Sequence, residues 1–490
     1  MSGSDRARPW FGKDSALAGI GVRLAECWDG LAKRFDPLLL IVGAWALLCL
    51  PLVLLRGYNS DEGLAVTIAR SAVEGGHWLE PYVFNVRWVE RPTLLSWLIA
   101  LVSAPFGEVT QLTSRLTMAA FLLGGCLLIY GLLRGAGARR AAALAAVALF
   151  LACPMVLRNA VMITADMPLS VLLFLAFAIW WRGEAAGSHT LVSWIAIGLA
   201  LALAGLMKGP QPVAYFALGV GVYLLLTRSW RQFPGMVLAG LVCIAPIAAW
   251  YRMVYTPGDE GQWAAFMRFA PGVRLDGPIH SVAHLAAEIL PATIALLMLP
   301  FVRRLGGSLN ASPRFVLALV CYAFAASVII LFWPGGSTSR YFFPAVLPFC
   351  VLGGILYDAL AVRRPDAAAA LLIVPTALIA YGLIYADIAA PLMPDRFRQA
   401  ALDARAIAEA VSAAPAPIYR TGAVGLNVMP YIPGRIFNGD VEHLATLKGP
   451  AWFAVDPPEA TILEAGRPKY VHGVLSFGED KEWRLLRLDP

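Results

Sequence analysis

Two adjacent carboxylates, Asp61 and Glu62, stand in YNSDEGLAVTIAR (58–70), directly after the apolar run DPLLLIVGAWALLCLPLVLL (36–55). A third, Asp166, stands in RNAVMITADMPLS, just ahead of another apolar run. An ionised side chain at such an edge is costly unless it faces protein or a watery cavity, so each is a functional candidate. Local structure supplies a second account of both. Asn59 followed three residues later by Glu62 has the form of a helix N-cap with an acidic N3 residue, and acids in a first turn suit the helix dipole. Thr164 or Asp166 would likewise start a helix with Pro168 in its first turn.

Cations accompany these acids. Arg87 and Arg91 lie in RWVERP, Lys208 in LMKGP between two apolar runs, Arg268 and Arg274 in MRFAPGVRLDGP, and Arg340 in STSRYFFPAVLP, where Tyr341 follows it. Any one of them alone is explained by a long side chain reaching out to the interface. Converging, they suit a phosphate, which arginine binds bidentately and lysine as a point charge. The combined chemistry is a carboxylate that takes a proton from an acceptor hydroxyl, beside cations that stabilise a leaving phosphate.

The elements that must position these groups are apolar helices. The 490 residues are 59% hydrophobic and 14% charged, with a mean hydropathy of +0.68. The apolar residues fall in runs of about 15–22, enough to cross a hydrocarbon core about 30 Å thick. This composition excludes an ordinary soluble domain, and the absence of alternating strands excludes a β-barrel. The net charge of +7 then reports membrane topology rather than nucleic-acid binding. The seven cysteines form no CxxC pair and none follows Cys350, so neither a disulfide framework nor a cysteine metal site is expected.

Eleven runs read as spans: 36–55, 115–133, 141–157, 167–181, 190–207, 211–227, 235–255, 284–302, 312–333, 341–360 and 367–388. A polar, basic segment, 1–35, precedes the first. The run 92–107 is short and bounded by prolines. Counting it as a span would place the later arginine clusters outside, against the positive-inside rule, so it reads as a juxtamembrane or re-entrant helix. The loops 56–114 and 256–283 and everything after 390 then lie on the outer face. In the tail, 395–413 has amphipathic helical periodicity and APIYR, RIFNG, AWFAV, KYVHGVLSF and WRLLRL read as strands, giving a small α/β domain over 391–490. Its GAVGLN stretch is too weak to name a nucleotide loop.

With those residues in place, the chain resembles the GT-C superfamily of membrane glycosyltransferases, in the branch of protein O-mannosyltransferases and lipid A aminoarabinose transferases. YNSDEGLAVTIARSAVEGGHWLEPYVFNVRWVERPTLLSWL is similar to the family's acidic pair, short helix and basic-Pro segment. TADMPLS, GLMKGP, SRYFFPAVLPFCVLGG and a soluble domain after the last span come next, in the family's order. The resemblance implies a catalytic Asp61 with Glu62 as its neighbour, and Asp166 as the second acid. It implies phosphate contacts from Arg91, Lys208, Arg274 with Arg268 as its rival, and Arg340 with Tyr341.

By the same resemblance the chain would be an inverting transferase that moves a monosaccharide from a polyprenyl-phosphate donor to an envelope glycolipid or glycan. A protein hydroxyl is the alternative acceptor. A flippase for a lipid-linked sugar is the rival from another class, although transporters usually carry their charges at the midplane of repeated halves. The expected setting is a bacterial inner membrane, with the active site and C-terminal domain facing the periplasm and no nucleic-acid partner. The family's use of metal varies, so a divalent metal is left open; His77, His280 and His284 read as structural. The family's larger transferases carry more spans, which leaves the acceptor open.

Overall fold

The computed structural model describes residues 16–489, except 260–275, 299, 301–310, 332–338, 362–364, 423–424, 433, 435 and 479–480. Among the described residues, eight helices are long and apolar enough to cross a membrane. They correspond to eight of the eleven expected spans. The other three are shorter. α6 (Arg140–Ala152) has 13 residues and α10 (Gln211–Leu226) has 16, while the run expected at 284–302 is divided between helices Asp276–Glu288 and Leu290–Met298.

Packing explains why a helix as short as α6 persists. From Ala141 to Ala152 every residue is buried. Its alanines let the buried helix Phe343–Ala361 come close, and a Cβ added at Gly354 would stand 2.7 Å from that of Ala146. Small residues at such a crossing permit the close backbone approach that drives helix association in a bilayer. Phe343–Ala361 also packs on α8 (Asp166–Ala185) and on the helix Pro313–Leu331, which makes it the hub of the bundle.

α1 (Ala16–Arg34) precedes α2 (Pro37–Leu55), whose start is fixed by Asp36 accepting from the Leu38 N–H at 2.7 Å and by Pro37 in the first turn. The connection to α5 (Gln111–Gly135) holds the catalytic candidates. It contains α3 (Ser60–Gly75), a hairpin of β1 (Tyr82–Val83) and β2 (Val86–Arg87), and α4 (Leu94–Ser103). With its 3-10 extension α4 ends at Phe106, too short to cross a membrane, in keeping with the juxtamembrane reading of 92–107.

After the bundle, Pro394–Ala413 is helical and five strands follow: β3 (Ile418–Arg420), β4 (Ile436–Asn438), β5 (Ala451–Val455), β6 (Val471–Phe477) and β7 (Trp483–Leu488). They form one mixed sheet in the order β4-β3-β5-β7-β6, with β3, β4 and β5 parallel and β7 antiparallel to β5 and β6. All five strand-like runs are strands. Helices Val441–Thr446 and Pro457–Gly466 were not anticipated; Asp440 and Asp456 cap them.

This sheet grips the segment that bears Asp61. Tyr431 stacks on Tyr58 at 4.5 Å and accepts the Tyr58 backbone N–H, while Arg70 of α3 donates to the Pro430 and Ile432 carbonyls. At the hairpin tip, Phe84 adopts φ 59°, the left-handed geometry of a two-residue turn. The Arg420 guanidinium stands 4.8 Å over its ring, and Asn438 bonds to both Asn85 and Val83. Burial lowers the Arg420 pKa to about 10. The closest approach is at Gly63, where a Cβ would stand 1.5 Å from the Leu426 carbonyl oxygen. Gly63→Ala should therefore prise the sheet from α3 at a cost of about 1–3 kcal/mol. The expected reading is faster amide exchange across 426–432 with the bundle amides unchanged.

Candidate active site

The two adjacent acids have opposite surroundings. Glu62 is fully buried. It closes a capping box with Asn59, accepting the Asn59 N–H at 2.8 Å, and it also accepts the Ile163 N–H at 2.8 Å. Arg115 of α5, equally buried, pairs with it at 2.9 Å and donates to the Val161 carbonyl. Among the described residues Glu62 touches local backbone and Arg115, tying α3 to the 160–166 segment that leads to Asp166, and it does not line the cavity that Asp61 lines.

Asp61, one residue earlier, projects from the first turn of α3 with its side chain 59% exposed. It lines a cavity of about 240 Å³ together with Arg91, Asp166, Lys208, Arg340 and Tyr341. Leu64, Ala65 and Ile68 line it from the same face of α3, as helical spacing requires.

Asp166 is the first residue of α8, and no side chain caps that helix. The N-terminal helix dipole favours its charge, and so do two cations. Lys208 ends α9 (Leu191–Lys208), where the dipole suits a cation, and its ammonium contacts Asp166 Oδ1. Gly209, at φ 116°, turns the chain at once into α10 and leaves Lys208 at the helix end. Arg340 joins the two acids, meeting Asp61 Oδ2 at 2.7 Å and Asp166 Oδ2 at 3.4 Å. Tyr341 lies beneath the Lys208 ammonium, 3.9 Å from its ring centre.

Among the described residues, Arg91 makes a loose 3.8 Å contact with Glu90 and lies 5.5 Å over the Trp88 ring. A second cavity, of about 250 Å³, adjoins the first. Arg91, Asp166, Lys208 and Tyr341 line both, so these four residues form the partition. The acids and cations lining the first cavity sum to +1, from Arg91, Lys208 and Arg340 against Asp61 and Asp166. That excess suits an anionic ligand.

Five of the expected site residues thus meet around one cavity with Tyr341, although 279 positions separate Asp61 from Arg340 in the sequence. Arg268 and Arg274 lie outside the described residues. Arg87 is engaged elsewhere, with Asp259 and Glu80 at 3.1 Å each. His77 packs against Tyr82, His284 faces Glu288 at 3.7 Å, and His280 lies in the helix Asp276–Glu288. Among the described residues, no group of three or more His, Cys, Asp or Glu side chains is arranged to hold a metal. Arg115 was missed by sequence reasoning, although an arginine one turn into a membrane-length apolar helix was a signal that it had a buried partner.

This geometry defines a class: a polytopic membrane protein with charged catalytic candidates gathered at one end of its spans and a small mixed sheet docked over them. Its fold is that of ArnT from Cupriavidus metallidurans. The crystal structure of that protein bound to undecaprenyl phosphate matches with a TM-score of 0.71 at 18% identity, covering 92% of this chain and 97% of that one. A mycobacterial arabinofuranosyltransferase, AftD, matches with a TM-score of 0.53 at 13% identity, covering 94% of this chain and 40% of that one.

Relatives in sequence agree. Residues 90–251 match the dolichyl-phosphate-mannose-protein mannosyltransferase family model. An undecaprenyl phosphate-α-4-amino-4-deoxy-L-arabinose arabinosyl transferase from Proteus mirabilis is 27% identical over 39% of this chain and 34% of its own length. Its counterpart from Pseudomonas aeruginosa is 28% identical over 38% of this chain and 35% of its own length. The chain is thus similar, over part of its length, to aminoarabinose and mannosyl transferases, and the sequence match spans about a third of those curated relatives.

Proposed function

We propose that this protein is an inverting glycosyltransferase that takes a monosaccharide from a polyprenyl-phosphate donor. The observation that carries the reading is the Asp61–Arg340–Asp166–Lys208 chain of ion pairs in one cavity. The donor phosphate competes with the carboxylates for Arg340 and Lys208, with Arg91 free to join from the partition. Arg340, once drawn to the phosphate, leaves Asp61 to accept the proton of the acceptor hydroxyl. That oxygen bonds to the anomeric carbon as the bond from carbon to phosphate oxygen breaks, and the polyprenyl phosphate departs with the electron pair. Attack opposite the leaving group inverts the anomeric centre. The cations stabilise the charge that grows on the phosphate, and Asp166 holds Lys208 and Arg340 in place. Arg274, or Arg268 beside it, is assigned to the same phosphate on the family resemblance.

The acceptor we assign is an envelope glycolipid or glycan. The mannosyltransferase family match motivates a second reading, a protein hydroxyl acceptor. The proposed topology keeps eleven crossings of a bacterial inner membrane, the shorter helices included, with the cavity and the C-terminal sheet (391–490) on the periplasmic side. Transport is disfavoured because the charges gather at the ends of helices rather than along a path between repeated halves. Lys208→Met tests the donor assignment. Loss of one charge-assisted contact should weaken binding of undecaprenyl phosphate about 10–100-fold. Unchanged binding would remove Lys208 from the donor site.

A further inference from the structure

Away from the reaction cavities, the bundle encloses a cavity of about 430 Å³ that shares no lining residue with either of them. Its walls are apolar: Leu48 and Leu52 of α2 and Leu157 of α7 (Pro154–Asn159). Tyr381, from the helix Pro365–Ile384, stands at one side, and two arginines, Arg56 at the end of α2 and Arg158 of α7, also line it. Neighbouring side chains of the same two helices, Leu54 and Ile384, are exposed. The cavity therefore lies between helices that face lipid.

The charges near it do not cancel. Glu62 is matched by Arg115, and Glu288 by Arg158. Arg56 donates to the Arg158 carbonyl at 2.7 Å and has no carboxylate partner among the described residues, which leaves an excess of one positive charge. Apolar walls that end at an unmatched arginine at the membrane edge fit a ligand with an acyl chain and a single negative charge, as an arginine binds a phosphate oxygen through its planar fork.

We propose that this cavity holds one anionic phospholipid of the surrounding bilayer, its acyl chain against Leu48, Leu52 and Leu157 and its phosphodiester against Arg56 and Arg158. A bilayer lipid fits better than the transferred substrates because residues 154–166 stand between this cavity and the one that Asp61 lines. Arg158 begins the stretch that ends at Asp166, and Ile163 within it is held by Glu62. A lipid phosphate on Arg158 would steady that stretch from its far side. The site thus makes the setting of Asp166 sensitive to lipid composition.

The test is native mass spectrometry of protein released from nanodiscs of phosphatidylcholine alone or mixed with phosphatidylglycerol. One phosphatidylglycerol should be retained by the wild type and equally by Asp61→Asn, so the reading does not depend on turnover. Arg56→Gln should reduce retention about tenfold, the equivalent of one charge-assisted contact, and Arg56→Lys should restore part of it. Leu52→Trp, which fills the cavity and keeps the charge, should also expel the lipid. Equal retention of phosphatidylcholine, or retention unaffected by both Arg56→Gln and Leu52→Trp, would overturn the proposal. So would phosphatidylglycerol competing with the sugar acceptor in a transfer assay, since the cavity would then belong to the acceptor.

Discussion

Asp61→Asn should lower sugar transfer by roughly 10²–10⁴-fold, the range a positioned general base contributes, with the fold and donor binding intact. The side chain is 59% exposed and caps nothing, since Asn59 and Glu62 close the box at the start of α3. Among the described residues its ion pair is with Arg340, which keeps Asp166 as a partner. Asparagine has nearly the same shape but cannot take the proton. An unchanged melting temperature and unchanged undecaprenyl phosphate binding, with transfer lost, is the expected pattern. Loss of folding would return Asp61 to a capping role.

The second large effect concerns stability. Arg115→Met should destabilise the protein by about 3–5 kcal/mol, because it leaves Glu62 buried without its charge partner. Glu62→Gln should also destabilise. Ile163 donates to Oε1 and Asn59 to Oε2, so the single amide oxygen keeps an acceptor for one of the two N–H groups, and Arg115 then lacks a carboxylate. The double variant Glu62→Gln/Arg115→Met should recover much of the stability lost in Arg115→Met, and a thermal-melting double-mutant cycle measures the coupling. Additive losses would show that the two side chains act separately. Activity should fall in all three variants, since this pair holds the 160–166 segment beside α3.

Much of the fold was legible because its signals are local. Apolar runs, the prolines around 92–107, the amphipathic period over 395–413 and five β-rich stretches each specify an element without reference to anything distant. The span count was less legible. α6 persists although it is short because Gly354 of a remote helix lets its alanines pack closely, and composition alone does not reveal that neighbour. In the same way, the run at 284–302 contains no residue that announces the break at Ile289.

The site divides along the same line. Asp61, Asp166, Arg91, Lys208 and Arg340 were identifiable as charges misplaced at the ends of apolar runs, and the structure brings them around one cavity. Which of two neighbouring acids faces that cavity was not legible. Asp61 and Glu62 differ by about 100° around α3, and only the tertiary position of Arg115 and Ile163 decides that Glu62 turns inward. The capping signature at Asn59 was correct, and it belonged to one acid of the pair rather than to both. The docking of the C-terminal sheet through Tyr431, Arg420 and Gly63 left no local mark, because it depends on two segments more than 300 residues apart.

The central claim is tested most directly by incubating purified protein in detergent, with no sealed compartment, with radiolabelled polyprenyl-phosphate monosaccharides and envelope extract. Asp61→Asn and Arg91→Ala serve as the paired controls. The account predicts sugar transfer by the wild type, inverted at the anomeric carbon, and lost in both variants. No transfer from any donor, with lipid-linked sugar crossing the bilayer of liposomes instead, would contradict it and assign the acids and cations to a transport path.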